Sequence, residues 1–138
     1  MDSVLDCSMA LAWGLPDETS RRADRFFAQL TPETVLWVPA LWWYELANAV
    51  TVAQRRHRLS EADAMRLAEL YGMLPIRTDV HLNPDAVWRF ARLAEGFTLS
   101  AYDAAYLELA ERRGLALATL DRRLITAAEA AGVTIVHQ

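Results

Sequence analysis

Short apolar runs alternate along the chain with longer segments in which apolar residues recur at helical spacing. Helix-start signals such as Ser60 with Asp63, or Asn83 before Pro84, open several of the longer segments. Strands this short, separated by helices, cannot pair as hairpins, so the pattern predicts a parallel sheet with right-handed crossovers and helices on both faces. The predicted strands cover residues 3–5, 35–38, 74–77, 115–120 and 133–136.

The segment 99–124 joins a helix, a strand and two acidic residues. Ser100 followed by Asp103 has the spacing of a capping box, and Gly114 can adopt the left-handed conformation that ends a helix. These signals predict a helix over residues 101–113 and a buried strand after it. On this helix Tyr102 and Asp103 are predicted to share a mostly apolar face, with Glu108 on the opposite, polar face. Asp103 is therefore a carboxylate in an apolar setting.

Three further acidic residues share that property. Asp6 and Asp121 follow directly on predicted strands, at the carboxyl ends where open α/β sheets build their sites. Glu45 lies in the middle of the apolar arc of a helix predicted over residues 40–57, which Pro39 is expected to start. An acid in such a place is costly unless it is paired. For Asp103 and Asp121, simple helix capping is the alternative interpretation.

Length and composition limit the protein class. The 138 residues suffice for a single domain, 1–138, that folds without metal or disulfide staples. Cys7 is the only cysteine and is interpreted as a buried structural residue, which favours a reducing, cytoplasmic setting. The apolar N-terminal run is too short for a bilayer and lacks the basic start of a secretory signal, so no membrane association is expected. A net charge of −4 argues against a wide basic surface for nucleic acid, although local contacts stay possible.

Four clustered carboxylates would repel one another unless their pKa values were raised or they shared a divalent cation. An all-oxygen cluster suits Mg²⁺ or Mn²⁺. Zinc is disfavoured, because the single cysteine and the three histidines (His57, His81 and His137, expected at the surface or in turns) show no ligand spacing. A bound divalent ion can activate water and stabilise charge on a phosphoryl group, so hydrolysis of a phosphodiester is the predicted reaction.

The segments VLDCSMALAW, WYELANAV and LSAYDAAYLELAERRGLALATLDRRL, in that order, resemble the PIN domain of VapC-type toxins. The resemblance covers nearly the whole chain and implies a three-layer α/β fold with a short parallel sheet of four to five strands and helices on both faces. It implies an Mg²⁺-dependent endoribonuclease, with Mn²⁺ as a substitute, that is usually dimeric and is neutralised by a VapB-like antitoxin.

Residue by residue, the resemblance assigns the catalytic and metal-binding roles to four acids and polar support to three hydroxyl residues. A non-catalytic PIN-like module that binds RNA or protein is the rival interpretation, and the retention of all four acids counts against it. The acids are Asp6, Glu45, Asp103 and Asp121; the hydroxyl residues are Ser8, Ser100 and Thr119.

Two further groups are candidates for binding partners. Arg122 and Arg123 are candidate contacts to RNA, with solvated helix ends as the alternative. Trp42, Trp43 and Tyr44 are consecutive on a predicted helix, so they cannot all face one core. Because Trp42 shares the arc of Glu45, Trp43 and Tyr44 turn to the other side of the helix. With Leu11 and Trp13, these aromatics are predicted to anchor an interface with a second copy or with an antitoxin, unless they are covered as part of the core.

Overall fold

The computed structural model describes residues 1–136, and this part of the chain forms four strands and seven helices. The strands are β1 Ser3–Leu5, β2 Leu36–Pro39, β3 Ile76–Asp79 and β4 Ala116–Ala118. The helices are α1 Cys7–Gly14, α2 Arg21–Ala28, α3 Leu41–Arg55, α4 Glu61–Gly72, α5 Pro84–Phe97, α6 Ala101–Arg113 and α7 Arg122–Ala131.

The four strands form one parallel sheet in the order β3-β2-β1-β4. Val4 lies opposite Trp37 on one side and Leu117 on the other. The last predicted strand is reduced to an isolated parallel bridge between Leu117 and Ile135. The predicted α/β architecture, a short parallel sheet flanked by helices, is confirmed.

The apolar runs became strands because the middle of the sheet is buried on both faces. Val4, Leu5, Leu36, Val38 and Leu117 are all fully buried. Pro39, predicted to start a helix, is instead the last residue of β2, opposite Asp79. It is tolerated there because the pairing of β2 with β1 ends at Trp37, so the missing N–H interrupts no bond to β1.

Helix α6 is the central helix of the fold and packs on α5, α7 and strands β1, β2 and β4. The prediction for Glu108 was wrong: its side chain is buried, because α5 covers that face and Arg112 donates to its carboxylate at 2.9 Å. The prediction for Tyr102 was also wrong, since it is 69% exposed. Tyr102 lies in the first turn of α6, before the continuously buried segment 104–110 begins.

Within residues 1–136, no helix is long and apolar enough to cross a membrane.

Candidate active site

The topology brings acidic residues from four elements to the carboxyl edge of the sheet. Asp6 follows β1 directly, and Asp121 lies just after β4, the parallel neighbour of β1. Asp103 is in the first turn of α6, and Glu45 lies on α3, the helix that follows β2. These four residues are called the carboxylate cluster below, because charges within the group help to raise the pKa values of Asp6, Glu45 and Asp103.

Asp6 is the most buried member of the carboxylate cluster, with 6% of its surface exposed. Its Oδ2 accepts hydrogen bonds from Ser8 Oγ at 2.6 Å and Thr119 Oγ1 at 2.7 Å. Each hydroxyl also accepts a backbone N–H, that of Leu120 for Ser8 and that of Asp121 for Thr119, both at 3.0 Å. Because these N–H groups occupy hydroxyl lone pairs, the hydroxyl protons are directed to Asp6.

Burial raises the pKa of Asp6 in spite of those two hydrogen bonds, and the negative charges of Asp121 and Asp103 raise it further. Burial is also the largest cause of the raised pKa of Asp103, followed by the charge of Asp121. The site thus holds carboxylates whose charge the protein itself leaves poorly compensated.

Asp121 and Ser100 both act as helix caps. Asp121 Oδ1 accepts the N–H groups of Arg123 at 2.8 Å and Leu124 at 3.2 Å, at the start of α7. Ser100 Oγ accepts the N–H of Asp103 at 3.1 Å, at the start of α6. Asp121 can cap α7 and also belong to the carboxylate cluster, because capping uses only one of its two carboxylate oxygens.

Glu45 is half-buried on α3, and its Oε1 accepts a hydrogen bond from the hydroxyl of Tyr106 at 2.5 Å. Burial raises the pKa of Glu45, the Tyr106 bond lowers it, and the charges of Asp6 and Asp103 raise it again. Tyr106 was not among the residues predicted for the site. Its spacing from Asp103 could have indicated a place near the site, because a residue three positions later lies one turn along the same helix face.

The donor set of the carboxylate cluster fits a hard divalent cation. Within residues 1–136, no three Asp, Glu, His or Cys side chains already stand at a spacing that would hold an ion. Mg²⁺ commonly takes only one or two carboxylates directly and keeps several waters, so it does not require such a cage. His57 and His81 are exposed, and His137 lies outside the described residues. The cation would be held by Asp6, Glu45, Asp103 and Asp121.

A second acidic group differs sharply from this cluster because it is fully paired. Asp79 is buried and accepts from Arg112 at 2.6 Å and Arg113 at 3.1 Å, while Arg112 also binds Glu108. Burial opposes ionisation of Asp79, but the two arginines prevail and lower its pKa to about 2. Asp79, Glu108, Arg112 and Arg113 are called the Asp79 network below.

The raised pKa values in the carboxylate cluster predict an unusual dependence of the protein's stability on pH. The pKa values of Asp6, Glu45 and Asp103 are raised above the ordinary 3.8 and 4.5, so these groups destabilise the fold when ionised. Without metal, the melting temperature should therefore rise as pH is lowered from 7 toward the ordinary carboxyl pKa values, because these groups take up protons over that range. Thermal denaturation in EDTA across this range measures the effect. The same series in millimolar Mg²⁺ is the control, in which bound cation should remove most of the rise. A melting temperature in EDTA that does not change with pH would contradict the prediction.

The candidate partner residues are only partly exposed. Trp42 is fully buried, in edge contact with Tyr71 at 6.1 Å between ring centroids, so it belongs to the core, toward which α3 turns it. Trp43 and Tyr44 are 43% and 78% exposed. Trp13 is half-buried and stacks on Phe27 at 4.2 Å. Arg122 and Arg123 are exposed in the first turn of α7.

Comparison with known proteins agrees with this arrangement. The PIN domain family model matches residues 3–130. Ribonuclease VapC3 of Pyrobaculum aerophilum is 34% identical over 124 residues, which are 90% of this chain and 92% of that protein. The chain belongs to the PIN-domain family of VapC ribonucleases.

Solved PIN-domain structures show the same fold. PAE2754 of Pyrobaculum aerophilum superposes with a TM-score of 0.68 at 25% identity, covering 92% of this chain and 84% of that one. A toxin-antitoxin complex from Klebsiella pneumoniae superposes with a TM-score of 0.56 at 18% identity, covering 86% of each chain. The VapC relatives are named as ribonucleases, and this PIN-domain chain accordingly carries a nuclease fold with a carboxylate cluster at the sheet edge.

Proposed function

We propose that this protein is a divalent-cation-dependent endoribonuclease toxin that hydrolyses RNA phosphodiester bonds and is silenced by a VapB-like antitoxin. The observation that carries the proposal is Asp6, a buried carboxylate whose pKa is raised by burial and by two neighbouring acids, at the edge where β1 and β4 end. A cation is the natural partner for this charge, because in the described part of the chain no arginine pairs with the cluster in the way that Arg112 and Arg113 pair with Asp79.

A bound Mg²⁺, or Mn²⁺ in its place, would supply an activated water and stabilise charge on the scissile phosphate. The protein's own residues orient the ligands for it. Ser8 and Thr119 fix Asp6, and the first N–H groups of α7 fix one oxygen of Asp121. Cys7 has no part as a nucleophile, because burial raises the pKa of its thiol and keeps it protonated.

Arg122 and Arg123 are proposed to contact the phosphates that flank the cleaved bond. Positive charge at a helix N-terminus is unfavourable on its own, because the helix dipole is positive there. The charge of Arg123 lowers the pKa of Asp103, so this arginine lies near the carboxylate cluster. Two exposed guanidinium groups beside four acids would attract the RNA backbone to an otherwise repulsive site.

The test of the proposed function is cleavage of a panel of transfer, ribosomal and messenger RNAs by purified, antitoxin-free protein. The expected result is cleavage of one class of RNA in Mg²⁺, its loss in EDTA and its recovery when Mg²⁺ is restored. Cleavage that continues unchanged in EDTA, after contaminating nucleases are excluded, would contradict the proposal.

The partner surface is proposed to include Trp43 and Tyr44, which directly precede Glu45 on α3. Aromatic anchors of this kind dominate many interfaces, either between two copies of the chain or with an antitoxin segment. An antitoxin arginine that reached the carboxylate cluster would block cation and substrate together.

Replacing Trp43 and Tyr44 together with alanine should weaken self-association or antitoxin binding by about tenfold or more. Light scattering and titration with the antitoxin measure the two effects. Trp88→Ala on α5 is the matched control, since Trp88 is also an exposed tryptophan. If the double variant and the control behave alike in both assays, these aromatics do not belong to a partner interface.

A further inference from the structure

Among the described residues, the Tyr106 hydroxyl makes one hydrogen bond to the carboxylate cluster, which is its bond to Glu45. Tyr106 is fully buried in the core, on a helix that packs against three strands. Its ring therefore has little freedom, and its hydroxyl occupies a fixed point beside α3. A tyrosine in this position can serve as a rigid hydrogen-bond donor.

The direction of the bond follows from the chemistry of the two groups. A phenol hydroxyl, whose ordinary pKa is about 10, is protonated at neutral pH and can donate. An ionised carboxylate can only accept, so the proton of Tyr106 points to Glu45 Oε1. Because the hydroxyl is buried, it is not available to substrate, and any effect on the reaction passes through Glu45.

Glu45 needs such support more than Asp6 and Asp121 do. Asp6 receives two hydroxyl donors, and Asp121 receives two backbone N–H groups. Glu45 has a longer side chain with more rotatable bonds, lies half-exposed, and has the bond from Tyr106 as its support. That bond fixes Oε1 and leaves Oε2 free to face a cation.

We infer that Tyr106 is the positioning residue of the site, which sets the orientation of Glu45 for the cation. This inference rests on the proposed function. It gives α6 two tasks: Asp103 in its first turn would bind the cation, and Tyr106, one turn later, would hold a ligand that belongs to α3. The relative placement of two ligands from different helices would then depend on one hydroxyl.

The test measures Mn²⁺ affinity by titration calorimetry, without RNA. Tyr106→Phe keeps the ring and removes the hydroxyl, and should weaken Mn²⁺ binding by about tenfold or more, as expected when a partner of a metal ligand is lost. Tyr71→Phe is the matched control: it removes another buried tyrosine hydroxyl, which donates to the carbonyl of Ala10 at 2.7 Å. That control should leave Mn²⁺ affinity unchanged.

A double-mutant cycle separates positioning from general damage to the core. In a Glu45→Ala background the side chain that Tyr106 holds is already absent, so adding Tyr106→Phe should weaken Mn²⁺ binding no further. Glu45→Asp provides a second route, since its shorter side chain loses the bond to Tyr106 without any change in the core. It should weaken Mn²⁺ binding to a similar extent as Tyr106→Phe.

Three results would overturn the inference. These are an affinity of Tyr106→Phe within twofold of wild type, an equal loss in the wild-type and Glu45→Ala backgrounds, or a matching loss in Tyr71→Phe. In each of these cases wild-type protein still binds Mn²⁺, so the proposed function stands. Wild-type protein that binds no Mn²⁺ would instead overturn the proposed cation site, and this inference with it.

Discussion

Asp6→Asn should lower Mg²⁺-dependent RNA cleavage by at least about a hundredfold while it raises the melting temperature of the metal-free protein. Activity falls because the amide removes the most buried negative charge of the carboxylate cluster, and with it an oxygen ligand of full charge. Stability rises because one of four mutually repelling groups becomes neutral. The amide oxygen can still accept from Ser8 and Thr119, so the local hydrogen bonds survive.

Initial rates on a responsive RNA and thermal denaturation in EDTA measure the two effects on the same preparation. Glu69→Gln, an exposed acid on α4, is the matched control, and it should change neither quantity. An Asp6→Asn variant that is both fully folded and fully active would remove Asp6 from the site. A variant that is inactive because it is less stable than wild type would indicate a structural role only.

Asp79→Ala should have the largest effect on stability, a loss of about 3 kcal/mol in the free energy of unfolding. The substitution leaves Arg112 with Glu108 alone and deprives Arg113 of its carboxylate, although Arg113 still lies over the Trp37 ring at 3.4 Å. Urea denaturation at pH 7 measures the change. The buried carboxylate also ties β3, the edge strand, to the end of α6.

The same residue predicts how the fold responds to strong acid. The pKa of Asp79 in the folded protein is about 2, below the ordinary 3.8, so its contribution is complete above pH 4 and is lost as pH falls through about 2. The difference in stability between wild type and Asp79→Ala should therefore shrink over that range. Asp17→Ala, which breaks an exposed pair with Arg58, is the control and should have little effect at any pH. A constant difference down to pH 2 would contradict this assignment.

The sequence was sufficient to predict where the strands follow one another along the chain and which element carries each of the four acids. Periodicity, capping residues and Gly114 predicted the α6 bounds, because those signals act within a few residues. The carboxylates stood out because each lies next to apolar sequence, which is unusual for an acid. That they meet at one edge follows from parallel pairing of β1 and β4, a consequence of topology rather than of any local motif.

Contacts between distant residues could not be predicted in the same way. Glu108 resembles an ordinary solvated helix residue until α5 is placed over it, and its pairing with Arg112 then allows it to be buried. Tyr106 resembles any core aromatic, since its partner Glu45 lies 61 positions away. Helical spacing separates Trp42 from Trp43 and Tyr44, but that Trp42 faces the core is known only from its contact with Tyr71.

The central claim is that Asp6, Glu45, Asp103 and Asp121 share one divalent cation, and anomalous diffraction from a crystal soaked in Mn²⁺ tests it most directly. We expect an anomalous peak among these four side chains. The carboxylate oxygens that bind the cation directly should lie about 2.0–2.2 Å from it, the distance typical of a small hard cation. A crystal in which Mn²⁺ binds elsewhere, while the four carboxylates keep only their protein partners, would contradict it.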